Sequence, residues 1–91
     1  MTYHVAKRCE KRGITGKDII SAILSGEIIE NYPEDYPYPS ALVFGCSVAN
    51  KSLHVVAGVG DGMLWIITSY YPNNEKWESD FKTRKVAKEN E

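Results

Sequence analysis

The fold is decided by residues 52–71, which read S-L-H-V-V-A-G-V-G-D-G-M-L-W-I-I-T-S-Y-Y. Two runs rich in Val, Ile, Trp and Tyr flank the sequence Gly60-Asp61-Gly62. An Asp-Gly pair between two such runs is a strong short-range signal for a β-hairpin. The stretch therefore predicts two antiparallel strands against which the rest of the chain packs.

The register of this hairpin depends on the length of its turn. A two-residue turn sets Gly60 opposite Met63, whereas a three-residue turn sets Val59 opposite Met63. We predict the second register, because it makes one face of the hairpin wholly apolar. That face holds Leu53, Val55, Ala57, Val59, Met63, Trp65 and Ile67. The other face ends in three polar side chains: His54, Thr68 and Tyr70.

The composition is that of one globular domain. The chain has 91 residues, of which 43% are hydrophobic, and this is enough for a core. We assign residues 1–91 to a single domain, with an ordered core at about 3–85 and a charged tail at 86–91. The net charge of −1 gives no general attraction to nucleic acid, so RNA contact would need a local basic patch.

The cysteines and the hydropathy pattern suggest a cytoplasmic protein. Cys9 and Cys46 stand alone, without a C-x-x-C motif, which favours two reduced thiols and leaves a disulfide open. No apolar run approaches the roughly 18 residues that cross a bilayer, and no signal-peptide pattern is present. We therefore expect a cytoplasmic location and no contact with a membrane.

Two helices are predicted before the first strand. Residues 3–12 read as a helix that ends at Gly13, and Thr15 with Asp18 forms a capping-box pattern for a second helix that ends at Gly26. The second helix carries four large apolar residues that we expect in the core: Ile19, Ile20, Ile23 and Leu24.

The remaining elements complete an α+β fold. Residues 27–32 and 41–48 read as strands that join the hairpin, and residues 75–85 read as a C-terminal helix. Short links between consecutive strands favour a four-stranded, mainly antiparallel meander with the helices on one face.

The common catalytic motifs are absent from the sequence. There is no P-loop, no dinucleotide-binding glycine pattern, no H-E-x-x-H and no G-x-S-x-G. A dedicated zinc site is not supported, and only convergence of His4 with His54 leaves a metal open. The apolar setting of Cys46 favours an inert thiol over a nucleophile paired with His54. We expect neither a metal nor a cofactor.

One group of polar side chains remains as a candidate site: His4, Arg8, Arg12, His54, Tyr70, Arg84 and Lys85. Histidine exchanges protons near neutral pH, and arginine stabilises charge on a transferring phosphoryl group. Such a group could cleave RNA without a metal, with the ribose 2′-OH as the attacking group. The alternative is a strand histidine with an ordinary hydrogen-bond partner and a solvated helix edge.

The chain also resembles a known family at these residues. The similar segments are H-V-A-K-R-C-E-K-R-G-I-T (4–15), G-E-I-I-E-N-Y (26–32), L-H-V-V (53–56), I-T-S-Y-Y-P (67–72), Trp77 and Arg84-Lys85. Together they look like the bacterial "domain of unknown function 4258" family over about residues 3–85. The resemblance implies a fold similar to RelE/ParE-like toxins, which are small α+β ribonuclease or gyrase-targeting domains held inactive by an antitoxin.

The resemblance also implies a partner and a set of functional positions. Members are often encoded beside an antitoxin-like protein with a zinc finger and a helix-turn-helix. The family's polar motif positions correspond to His4, Arg8, His54, Tyr70 and Arg84, and its aromatic anchor corresponds to Trp77. The implied activity is mRNA cleavage by a toxin of a toxin-antitoxin pair.

The expected roles follow from these two lines of reasoning. His54, Tyr70 and Arg84 are the catalytic candidates, with His54 as general acid or base and Tyr70 orienting the substrate. The candidates for substrate binding are His4, Arg8, Arg12 and Lys85. Ribonuclease toxins are typically basic, whereas this chain is slightly acidic. This difference either argues against direct RNA cleavage or confines it to a small cationic cleft built from the first helix and Arg84.

A second function class stays open. The exposed sheet face and the Tyr- and Pro-rich loop at residues 33–39 suit a non-enzymatic protein-interaction domain, which would bind by packing or by strand addition. The oligomeric state, including a homo-oligomer, is left open by the sequence.

Overall fold

The computed structural model describes residues 2–85. Its elements are α1 (Tyr3–Lys11), α2 (Gly16–Ser25), β1 (Glu27–Tyr32), β2 (Ser40–Cys46), β3 (Ser52–Gly60) and β4 (Met63–Tyr70). The strands form one sheet in the order β1-β2-β3-β4, and every neighbouring pair is antiparallel. The predicted α+β meander with two N-terminal helices is therefore confirmed.

Both helices begin where the sequence predicts. The Thr2 hydroxyl accepts a hydrogen bond from the backbone N–H of Val5 at the start of α1. At α2, Thr15 and Asp18 form the reciprocal capping box, because each side chain accepts a hydrogen bond from the other residue's backbone N–H. Gly13 follows α1 with a φ of 75°, which glycine adopts without steric cost.

The core lies between the two helices and one face of the sheet. Its buried apolar residues are Val5, Cys9, Ile14, Ile19, Ala22, Leu53, Val55 and Ala57. The prediction for α2 is wrong for two residues, since Ile20 is 59% exposed and Leu24 is 81% exposed. A helix lying on one sheet buries only one stripe, and in α2 that stripe contains Ile19 and Ala22.

The hairpin uses the shorter turn, so the predicted register is wrong. Gly60 lies opposite Met63, and both turn residues have positive φ, 53° at Asp61 and 72° at Gly62, as in a type I′ turn. A bulge at Ile67 then shifts the register by one residue, since Val56 pairs with Thr68 and Ala57 pairs with Ile66.

The turn and the bulge together decide which side chains share a face. Gly58 pairs with Trp65, so Trp65 lies on the face of His54 and not on the core face. His54 pairs directly with Tyr70, and these two side chains share a face as predicted.

The C-terminal helix is not found in the described residues. Within residues 72–85 the structure has turns and one isolated bridge between Trp77 and Arg84. Side chains in this segment bend the chain by bonding to its backbone instead. The carboxylate of Asp80 accepts backbone hydrogen bonds from Lys82 and Thr83, and Phe81 has a φ of 58°. The predicted charged tail at 86–91 lies outside the described residues.

Two general properties complete the description. Cys9 is buried, Cys46 is partly buried, and both are free thiols. No helix within residues 2–85 is long and apolar enough to cross a membrane.

Candidate functional site

A cleft opens where β4 ends, between the end of α1 and residues 72–85. Its volume is about 360 Å³. The lining residues are Arg12, Tyr70, Tyr71, Pro72, Asn73, Lys76, Trp77 and Arg84. We call it the cationic cleft, because three of these side chains carry positive charge and none carries negative charge. Such a cleft suits an anionic ligand.

Arg12 connects α1 to the last strand at the edge of the cleft. Its Nη1 donates to the carbonyl oxygen of Ser69 at 2.8 Å and, at 3.4 Å, to the hydroxyl of Thr68. Neither bond uses Nη2 or Nε. The guanidinium is therefore held in place with N–H groups left for an anion.

Arg84 is held more tightly, by an acid from the opposite edge of the sheet. Its Nε and Nη2 donate to the two carboxylate oxygens of Glu30 at 3.1 and 3.0 Å, and the guanidinium carbon lies 4.5 Å from the ring centroid of Trp77. The hydrogen bond from Arg84 holds the pKa of Glu30 below its ordinary value. Three cations against one paired carboxylate leave the cleft a net charge of about +2.

His54 lies behind the cleft and has no exposed surface. Its ring centroid is 4.6 Å from that of Trp77 and 5.3 Å from that of Tyr70, both edge to face. Its Nε2 is 2.7 Å from the carbonyl oxygen of Phe81. Since a carbonyl only accepts, Nε2 must carry the proton, and Nδ1, 3.3 Å from the Tyr70 oxygen, accepts from the phenol.

Burial sets the protonation of this pair. Desolvation lowers the pKa of His54 below its ordinary value, so the imidazole is neutral at neutral pH. Desolvation also raises the pKa of Tyr70, which keeps the phenol protonated. The expectation that His54 contacts substrate needs correction, because Tyr70 and Trp77 separate it from the cleft. In the structure its two ring nitrogens bond instead to the Tyr70 hydroxyl and to the Phe81 carbonyl oxygen.

The candidate group divides into residues that meet and residues that do not. Arg12, Tyr70 and Arg84 come together in the cationic cleft. Three exposed candidates lie outside its lining: His4, Arg8 and Lys85. His4 packs edge to face against Tyr3, and Arg8 lies one turn before Arg12 on α1. The small cleft at the end of α1 thus excludes the first two turns of that helix.

Sequence reasoning missed Lys76. Its side chain lines the cleft, and its carbonyl oxygen accepts a hydrogen bond from the backbone N–H of Lys85. The residue carries no motif, and a helical prediction for residues 75–85 gave it no defined direction. The one sequence signal for a fixed location is that Lys76 directly precedes Trp77. In the structure Trp77 is 2% exposed and so fixes its neighbour.

Within residues 2–85, no three side chains of His, Cys, Asp or Glu lie together as ligands for a metal ion. The cleft itself offers guanidinium, ammonium and phenol groups, which can bind and orient an anion.

Fold and site together define a small α+β domain with a cationic cleft at the end of its last strand. A family model described as "Domain of unknown function (DUF4258)" matches residues 1–71, and the chain belongs to this family. Comparison with curated proteins and with solved structures found no match. The matched region ends before residues 72–85, so the carry-over of family positions to Trp77 and Arg84 lies outside it.

Proposed function

We propose that this domain binds RNA through the cationic cleft, as the toxin-like member of a toxin-antitoxin pair with a RelE-like fold. The observation that supports this most is the convergence of Arg12, Lys76 and Arg84 beside Tyr70. Arg12 lies far in the sequence from Lys76 and Arg84, yet the three cations line one open cleft. Phosphate contacts of this kind supply much of the affinity of nucleic-acid binding.

The groups at the cleft have distinct roles in this proposal. Arg12 and Lys76 bind phosphate oxygens, because Arg84 is already paired with Glu30. The Tyr70 hydroxyl donates its hydrogen bond to His54, so its oxygen is left to accept a hydrogen bond from a ribose hydroxyl. Arg84 stacks on the buried ring of Trp77, so the outer face of its guanidinium offers a flat surface that suits a base.

RNA cleavage is a further step of the same proposal. The ribose 2′-oxygen would bond to phosphorus, the bond from phosphorus to the 5′-oxygen would break, and a cyclic phosphate would result. Arg12 and Lys76 would stabilise the charge on the non-bridging oxygens. Because His54 is sealed, water would accept and return the proton, so we expect cleavage to be slow unless a further group joins the site.

The test of binding is a fluorescence anisotropy titration with a short labelled oligouridylate. Arg12→Ala and Lys76→Ala should each weaken binding by about 1 kcal/mol, roughly five-fold in Kd. Lys17→Ala is the matched control, since Lys17 is an exposed cation on α2, away from the cleft. Equal loss in all three variants would indicate non-specific attraction and would contradict the proposal.

The test of cleavage is growth after induced expression. Wild type and Lys17→Ala should slow growth, whereas Arg12→Ala and Tyr70→Phe should not. If the wild-type domain is harmless but binds RNA as above, binding stands and cleavage is dismissed.

The proposal includes a partner and a location. The family resemblance supports an antitoxin-like protein with a zinc finger and a helix-turn-helix. The two free thiols suit a reducing compartment such as the cytoplasm. Co-purification with the product of the neighbouring reading frame tests the first point.

A second candidate function is a non-enzymatic protein-interaction domain. One observation favours it: large apolar side chains of the β3–β4 hairpin are exposed, namely Val59, Met63, Leu64, Trp65 and Ile67. Exposed apolar patches of this kind mark interaction sites. Under this candidate, the chain should elute in a complex on size-exclusion chromatography while Arg12→Ala and Lys76→Ala leave that complex unchanged.

A further inference from the structure

A second groove lies at the other end of β4, next to the Tyr- and Pro-rich loop. Its volume is about 720 Å³. The lining residues are Thr2, Val5, Asp35, Tyr36, Pro37, Tyr38, Gly58, Trp65, Ile66 and Ile67. We call it the edge groove, because Trp65 and Ile66, from opposite faces of β4, both line it. The groove therefore follows the open edge of that strand.

Apart from the bulge at Ile67, the edge of β4 lacks the usual protection. β4 is the last strand in the sheet order, and its sequence M-L-W-I-I-T-S-Y contains no charged residue and no proline. Natural edge strands usually carry such residues to prevent pairing with another chain. Arg12 donates a hydrogen bond to the carbonyl oxygen of Ser69 near the C-terminal end of β4. The half of the strand nearer the turn is therefore the part that is free to pair with another strand.

The charge of the edge groove is opposite to that of the cationic cleft. Asp35 is its one charged lining residue, and no Lys or Arg lines it. Asp61 lies beside it, held by the Tyr38 hydroxyl at 2.5 Å. Tyr36 is 95% exposed and offers its ring to a cation. These features favour positively charged ligands and disfavour RNA.

We propose that the edge groove binds an extended segment of a partner protein in which Lys or Arg alternates with apolar residues. The segment adds to β4 as a fifth strand. Its apolar side chains contact Val5 and Ile66 on the core side of the edge, and its cations lie on the opposite face, near Asp35 and the ring of Tyr36. This inference rests on the interaction-domain candidate and is independent of RNA binding.

A second copy of this chain fits the groove less well. Strand addition by another β4 would bring apolar side chains but no cation, because that strand contains none. Asp35 and Asp61 would then have no partners of opposite charge. Charge complementarity therefore points to a different, basic protein as the occupant.

The test uses a peptide of alternating Lys and Val with the length of β4, added to the isotope-labelled full chain and followed by backbone amide NMR. Chemical shifts should change at residues 63–67 and 35–38. A matched peptide of alternating Glu and Val should cause at least ten-fold weaker changes. Ile67→Lys should reverse this preference, while Leu24→Lys, a matched change at an exposed apolar residue of α2, should leave it unaltered.

Four outcomes would contradict the inference. They are equal binding of both peptides, shifts confined to the cationic cleft, the same residues shifting with oligouridylate, and concentration-dependent shifts along β4 without peptide. The last would identify a second copy as the occupant. The third outcome would also contradict the cationic cleft as the RNA-binding site, whereas the other three leave the effects of Arg12→Ala and Lys76→Ala on RNA binding to be judged separately.

Discussion

His54 joins two parts of the molecule through its two ring nitrogens. One nitrogen donates to the carbonyl of Phe81 in the C-terminal segment, and the other accepts from Tyr70 at the end of β4. The ring is also enclosed by the side chains of Phe44 and Trp77. A buried side chain with both polar atoms bonded is a structural element whose loss leaves its partners unsatisfied.

Replacing His54 should therefore cost stability. We expect His54→Phe to lower the free energy of unfolding by about 2–3 kcal/mol, because the Phe81 carbonyl and the Tyr70 hydroxyl lose their partner. Urea denaturation measures this change. His4→Phe is the control at an exposed histidine and should change stability by about 0.5 kcal/mol or less. Equal stability of the two variants would contradict a structural role for His54 and would favour its catalytic role.

The same residue predicts a pH dependence of stability. Burial lowers the pKa of folded His54 below its ordinary value of 6.5, so the unfolded chain takes up the proton first. Stability should be full above about pH 6.5 and should fall as pH decreases from there toward the folded pKa. The charged and titratable groups that face the ring are Glu30, Arg84 and Tyr70.

Thermal denaturation between pH 8 and pH 5 measures this dependence. His54→Gln should flatten the curve in that window, whereas His4→Gln should retain it. The paired carboxylate of Glu30 titrates lower, because its folded pKa is depressed below 4.5, and its contribution is lost only as pH falls below about that value. An unchanged slope in His54→Gln would disprove the assignment.

The packing of α2 against the sheet depends on a glycine in β2. A Cβ added at Gly45 would overlap the backbone of Ala22 in α2, so helix and strand approach as closely as two backbones can. No rotamer change relieves an overlap with backbone atoms.

Gly45→Ala should therefore lower the free energy of unfolding by about 2–3 kcal/mol. Gly16→Ala is the control, because a Cβ there meets nothing within 4 Å at the start of α2, and it should be neutral or slightly stabilising. Thermal melts followed by circular dichroism compare the two. Equal melting temperatures would show that α2 does not pack as described.

The elements were predictable from sequence to unequal degrees. The capping box at Thr15 and Asp18 and the turn at Asp61-Gly62 are local signals, so the elements they start or join could be located. The bulge at Ile67 has no local signal, since it reconciles a short turn with the pairing of His54 and Tyr70. The helix predicted for residues 75–85 is not found in the described residues. Side-chain hydrogen bonds to the backbone compete with helix formation there, and these bonds are visible only in the fold.

At the scale of the whole molecule, the sheet has two differently covered faces. The helices cover one face, and Trp77, which is 2% exposed, covers His54 on the other. The candidate site lies where the segment that carries Trp77, residues 72–85, meets the end of α1. The sequence indicated Arg12, Tyr70 and Arg84, but separating them from Arg8 and finding Lys76 required the path of residues 72–85.

Removing the anchor of that segment should open the second face. We expect Trp77→Ala to lower the free energy of unfolding by about 3–5 kcal/mol and to expose residues 72–85 to trypsin at Lys76 and Lys82. Lys76 and Lys82 would then be cut faster than Lys17 on α2, which serves as the internal reference. Cleavage at equal rates at all three sites would mean that Trp77 does not hold this segment.

The most direct test of the central claim is to locate a short oligouridylate on the labelled chain by backbone amide NMR. We predict shifts at Arg12, Tyr70 and Lys76, and an affinity that falls with salt concentration by a log–log slope of roughly 0.7 per phosphate bound. Residues 63–67 in the edge groove should not respond. Shifts along the edge groove, or no shifts at low salt, would contradict the assignment of the cationic cleft as an RNA-binding site.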